Sequence, residues 1–288
     1  MRWRNRLVSP RIVCSKAPWR SKGSGTSGGS LNGVTADSPT TLDVLNIVDQ
    51  LDAKHVTWKA YMQSLNDCVS GVSTPSGIVG ETSYKFDAAC GVAPYGAQLY
   101  ERKHNPFVTY DDVANNAARM ANIVDLSQFT TDLANNKLPE YSWISPDQCH
   151  DMHGTSTAGS PCDYSQEQSI ISMGDAFLKQ TVHQIMSSRV WKENTAIFVT
   201  WDEADYTGAG FQGFGDDSGC CDSPSGEGGG HVLTLVITKQ NQARNGQRVS
   251  FVPYNHFSML STIEKNFGLP CLANTCDIAN VKPMTGLK

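Results

Sequence analysis

Glu193–Tyr206 reads ENTAIFVTWDEADY, and its reading decides the fold. Thr195–Trp201 is a short run of β-branched and aromatic residues, the signature of a buried strand. The run stops on acids, with Asp202, Glu203 and Asp205 following at once. Carboxylates at the end of a buried strand are costly unless a cation meets them. In open α/β sheets, ligands gather at the carboxyl ends of the strands. The stretch therefore predicts either a hard-cation site at a sheet rim or a solvated turn after a core strand. Neighbouring residues of a strand face opposite ways, so Asp202 and Glu203 can share an ion only if the strand breaks at Asp202.

Working outward, Glu140–Ser145 and Val232–Ile237 read as further core strands, and His55–Trp58 as a brief one. Helices are predicted over Thr41–Leu51, with Leu42, Leu45, Val48 and Leu51 on one face, and for a turn or two within Lys59–Leu65. Others are predicted around Asp111–Ile123, over Gln166–Val190, and from Pro253-Tyr254-Asn255-His256 to Phe267, with Asn255 as N-cap and Pro270 as terminator. Strands alternating with helices argue for an α/β fold with a largely parallel sheet.

The chain has 288 residues, 18 % of them charged, with a net charge of −5 and a mean hydropathy of −0.33. Residues 1–22 carry seven basic groups and no acid, whereas the remainder holds 16 basic against 28 acidic residues. That acidic body argues against nucleic acid as a partner. No apolar run approaches the roughly 18 residues of a membrane span. Residues 1–30 lack periodicity and read as a disordered or extraneous basic leader, with the folded domain expected over 31–288. Nine cysteines are present. Cys68/Cys90, Cys149/Cys162 and Cys271/Cys276 each bracket a short loop, which predicts three disulfides and a secreted, extracellular protein. A zinc site competes as an explanation, but no CxxC is present.

Five of the seven histidines fall at strand ends or in loops: His104, His150, His153, His231 and His256. A lone histidine is usually a surface or packing residue; five at one sheet edge would be a site. Asp147 and Asp151 are placed to orient rings of the His150/His153 segment as acceptors, unless that segment is a plain solvated loop. His256 would open the last helix, as a neutral ligand or as a packing residue.

Six segments in order resemble the phosphoesterase family of acid phosphatases and bacterial phospholipases C, within the alkaline-phosphatase-like superfamily. They are Thr57–Met62 (TWKAYM), Arg102–Phe107 (RKHNPF), Ser145–His153 (SPDQCHDMH), Thr200–Glu203 (TWDE), Gly228–Val232 (GGGHV) and Tyr254–Ser258 (YNHFS). The resemblance implies a three-layer α/β/α sandwich and metal-assisted hydrolysis of a small phosphate ester through a Ser or Thr phosphoenzyme. It implies Asp202 and Glu203 as ligands of a divalent cation of unidentified element. His104 and one of His150 and His153 are implied as phosphate contacts, with His231 and His256 as further site histidines. The family's Glu-Asn motif and Pro-Asn-Tyr nucleophile segment have no counterpart here, so no nucleophile is assigned. The resemblance thus implies an N-terminally truncated domain, lacking a central strand. The alternatives are a phospholipase C-type phosphodiesterase and a non-catalytic remnant that keeps part of the phosphate site.

Overall fold

A computed structural model describes residues 6–10 (backbone), 42–65, 99–100, 104–155, 158–160, 162–202, 232–239 and 249–285. Its centre is a six-stranded sheet built from β1 (Arg6–Pro10), β2 (Trp58–Met62), β3 (Ile123–Asp125), β4 (Tyr141–Ser145), β5 (Thr195–Thr200) and β6 (Thr234–Thr238). The strand order is β3-β2-β4-β1-β5-β6. Every pairing is parallel except β5 with β6, which run antiparallel with Thr200 opposite Thr234. The α/β reading with a largely parallel sheet is therefore observed, as a mixed sheet.

The slot between β4 and β5 is filled by residues 6–10, paired with both neighbours. This differs from the expectation of a disordered leader and a missing central strand. The segment RLVSP offers only Leu7 and Val8 as consecutive apolar residues, too short a run for pattern reading to register a strand.

Alternation along the strands divides the core between two faces. Trp58, Ala60, Tyr141, Trp143, Ala196 and Phe198 pack toward α1 (Ile47–Ala53) and the last long helix, His256–Phe267. Tyr61, Ile144, Ile197 and Val199 pack toward Phe129 and Ile185, which lie on the helices Ser127–Ala134 and Glu167–Met186. Along the chain, two single turns, Asp111–Ala114 and Ala117–Met120, lie between α1 and Ser127–Ala134. Among the described residues the helices in chain order are thus α1, α2 (Asp111–Ala114), α3 (Ala117–Met120), α4 (Ser127–Ala134), α5 (Glu167–Met186) and α6 (His256–Phe267).

Several local expectations are corrected. The helix expected from Thr41 starts at Ile47, because Asn46 takes the N-cap and accepts from Val48 N–H at 2.9 Å. Leu45, assigned to its buried face, is 76 % exposed. The helical turn expected within Lys59–Leu65 is β2, since Trp58, Ala60 and Met62 alternate with period two and enter one core. The helix expected around Asp111–Ile123 breaks at Asn116, which caps α3, and its end is β3. The long helix, the strand at 140–145 and the Asn255 cap are as expected, with Asn255 accepting from Ser258 N–H at 2.9 Å. Gly268 ends α6 in the left-handed region at φ 66°.

Candidate active site

β2, β4 and β5 end at the same edge of the sheet, and the polar residues meet there. β4 leads from Ser145 into the turn Pro146–His153. Ser145 Oγ donates to the His104 carbonyl at 2.9 Å and so holds the 104 segment against this strand end. Cys149 and Cys162 are bonded, closing the turn into a loop as expected. The loop also rests on α5, where Gly174 leaves no room for a Cβ beside Met152 and the His150 carbonyl. Met152 and Gly154 both take left-handed backbone, at φ 71° and 79°. A Cβ on Gly154 would come within 2.9 Å of Tyr164 backbone, so that turn requires glycine.

Of the two aspartates expected to orient the rings of His150 and His153, Asp147 meets one ring and Asp151 meets neither. Asp147 Oδ1 stands 2.8 Å from His150 Nδ1. Asp151 Oδ1 accepts from the backbone N–H of His153 at 2.8 Å, and its Oδ2 lies 3.3 Å from Nδ1 of His104. Asp151 thus stands beside the ring of His104 and meets His153 only at its backbone N–H. The His153 ring turns Nδ1 to the Gly154 carbonyl, 2.8 Å away, and stands edge-on to His104 with centroids 6.3 Å apart. His104, Asp147 and Asp151 are buried; His150 and His153 reach the surface.

Burial raises the Asp151 carboxyl well above the ordinary range; N–H donation from His153 and Gly154 opposes this, and the negative charges of Asp147 and Asp202 add to it. Asp202 is thus electrostatically part of the same cluster although it arrives from β5. Its backbone carbonyl accepts from His256 Nε2 at 2.7 Å, which fastens the first turn of α6 to the end of β5. The cluster consequently unites His104, His150, His153, Asp202 and His256.

Glu203 and His231 lie outside the described residues, as do the Cys68/Cys90 pair and Cys14, Cys220 and Cys221. Among the described residues, no three His, Cys, Asp or Glu side chains converge to hold a metal ion. The donor set on view thus supplies Asp202 alone of the expected ligand pair. Cys271–Cys276 is bonded as expected. No described helix is long and apolar enough to cross a membrane.

Pattern reading missed Ser64 and Gln63. Ser64 Oγ donates to Asp147 Oδ2 at 2.8 Å, and Gln63 Oε1 accepts from Asp147 N–H at 3.1 Å. The signal that leads to them is the period-two run Trp58-Ala60-Met62, which places residues 63 and 64 at a strand end.

A model of the phosphoesterase family matches residues 17–270, starting ahead of the boundary expected at residue 31. A probable acid phosphatase of Kluyveromyces lactis is 26 % identical over 239 residues, covering 83 % of this chain and 45 % of that protein. Acid phosphatases of Aspergillus fumigatus and Aspergillus niger are 25 % and 24 % identical, covering 83 % and 80 % of this chain and 43 % of each relative. The chain thus spans less than half the length of these relatives. With most of its length under the family model, the chain belongs to the phosphoesterase family.

Proposed function

We propose that this chain is a phosphoesterase of the acid-phosphatase kind, hydrolysing small phosphate monoesters at the edge where β2, β4 and β5 end. The observation that carries this reading is the convergence of His104, His150 and His153 with Asp202 and His256 from separate segments. Three imidazoles beside a strand end supply the polar contacts a phosphoryl group takes. His104 and one of the two histidines of the 147–153 turn serve as phosphate contacts. Asp202 and Glu203 would hold a divalent cation, whose chemistry is to polarise a phosphoryl oxygen. His256 fixes the backbone at Asp202, and His231 is a further site histidine of this reading. The three-layer alkaline-phosphatase-like sandwich is the architecture we propose, on the ground that helices pack on both sheet faces. The bonded pairs Cys149–Cys162 and Cys271–Cys276 support secretion into an oxidising compartment.

The test is release of 4-nitrophenol from its phosphate monoester and from the bis-ester across pH 4–9, with and without chelator. Monoester turnover that falls on chelation and in Asp202→Ala supports the reading. Turnover of the diester alone would replace it with a phosphodiesterase. No turnover of either ester with any divalent metal would mean that the chain is not itself an enzyme.

A further inference from the structure

Asp147 joins three parts of the fold at one carboxylate. Its Oδ1 accepts from Cys149 N–H at 3.1 Å and lies 2.8 Å from His150 Nδ1. Its Oδ2 accepts from Ser64 Oγ at 2.8 Å, while its own N–H donates to Gln63 Oε1. The strand ends of β2 and β4 are therefore coupled through this side chain to a single imidazole. Gln63 N–H also donates to the Ser145 carbonyl at 2.9 Å, so the two strand ends keep their spacing.

A carboxylate only accepts, so Nδ1 of His150 carries the hydrogen and the lone pair of the neutral ring lies on Nε2. The ring is held by its face as well, against Phe177 of α5 with centroids 5.7 Å apart and planes tilted by 38°. Among the described residues, His150 Nε2 has no hydrogen-bond partner, and the side chain is 30 % exposed. Ser64, in turn, adopts φ 62°, a left-handed backbone uncommon for a residue with a Cβ. A strained backbone at the residue that reaches the carboxylate is what an over-determined functional constellation contains.

We propose that Ser64 and Asp147 are positioning residues that hold His150 as the Nδ1–H tautomer, so that Nε2 faces the substrate phosphoryl group. This rests on the phosphoesterase reading and deepens it, because it assigns the phosphate contact of the 147–153 turn to His150. One proton lies between Nε2 and the phosphoryl oxygen, brought by a protonated phosphate or by an imidazolium. Ser64 fixes the carboxylate and Asp147 fixes the ring; neither touches the ester.

The experiment uses the full chain labelled with 15N-histidine, with the His150 signals assigned by their loss in His150→Gln. Long-range 1H–15N spectra give its tautomer, and titration with inorganic phosphate gives affinity without turnover. Expected are the Nδ1–H tautomer in the wild type, its retention in Asp147→Asn, whose amide oxygen still accepts, and its loss in Asp147→Ala. Phosphate affinity should fall about 10–100-fold in Asp147→Ala, the usual loss when the partner that orients a functional histidine is removed. The fall in His150→Ala should match it, and the double variant should be no weaker, because both changes remove one interaction. Ser64→Ala should show the same loss in smaller degree. An Asp147→Ala protein with an unchanged tautomer and unchanged phosphate affinity overturns the proposal. So does a fully additive double variant. If Asp147→Ala does not fold, Ser64→Ala decides on the same two readouts. These readouts stand apart from ester turnover, so loss of the phosphatase reading and loss of this one are distinguishable.

Discussion

Asp151 Oδ2 lies 3.3 Å from Nδ1 of His104, with both side chains almost completely sealed from solvent. The carboxylate that meets this imidazole also faces the negative charges of Asp147 and Asp202. An ionisable carboxyl buried among like charges is a cost that the fold carries locally. Asp151→Asn keeps an acceptor for the His153 and Gly154 N–H groups and removes the ionisable carboxyl. It should raise the melting temperature at pH 7 by a few degrees while lowering monoester turnover at least tenfold. Paired thermal melts and rates check this; a lower melting temperature with full activity contradicts it.

Glu264, eight residues along α6 from His256, offers a pH-dependent contribution to stability. Burial raises its carboxyl to about 7, against an ordinary 4.5, although Thr275 Oγ1 donates to it at 3.0 Å. Between those values the folded chain holds a proton that the unfolded chain has lost. Stability from this group is therefore fully present below pH 4.5 and falls as pH rises through about 7. Glu264→Gln should flatten that decline, read as a smaller difference in melting temperature between pH 5 and pH 8.

The two bonded cysteine pairs should differ in consequence. Cys149 and Cys162 are 13 residues apart and hold the histidine turn, whereas Cys271 and Cys276 are 5 apart and hold the tail of α6. Loop-closure entropy assigns about 3 kcal/mol to the former and about 2 kcal/mol to the latter. Cys149→Ser with Cys162→Ser should weaken phosphate binding as well as stability. Cys271→Ser with Cys276→Ser should lower stability alone. Non-reducing peptide mapping that finds thiols at all four positions would remove the basis of both expectations.

Gly174 provides a test of how tightly the turn is seated on α5. A methyl there meets the flexible Met152 side chain first and the His150 carbonyl at 3.2 Å second. Alanine suits a helix better than glycine by about 1 kcal/mol, so Gly174→Ala should cost little stability. Turnover should nevertheless drop several-fold as the turn is pushed outward. Adding Met152→Ala, which clears the space, should restore most of it.

The sequence was legible where one physical requirement dominates. β5 is buried at all six positions, and its apolar run announces it. The Asn255 cap and the Gln166–Val190 pattern were equally plain, because local chemistry and burial agree there. Legibility failed where pairing alone makes the structure. Arg6–Pro10 is a strand because β4 and β5 flank it, not because of its composition. Of the site, the aspartates beside the histidines could be read from spacing, but their partners could not. Asp151 reaches His104 across 47 positions of chain, a relationship that only the fold creates.

The antiparallel pairing of β5 and β6 sets Thr200 opposite Thr234, with their hydroxyls 2.8 Å apart. The chain therefore leaves the sheet after Asp202 and re-enters it at one and the same rim. Closing such a segment costs free energy only as the logarithm of its length, about 0.6 kcal/mol per doubling. Residues 204–230 join these two strand ends, so their number can change between Glu203 and His231 at little cost to the sheet. Segments of other length exchanged between Glu203 and His231 should therefore leave the pairing of β5 with β6 intact.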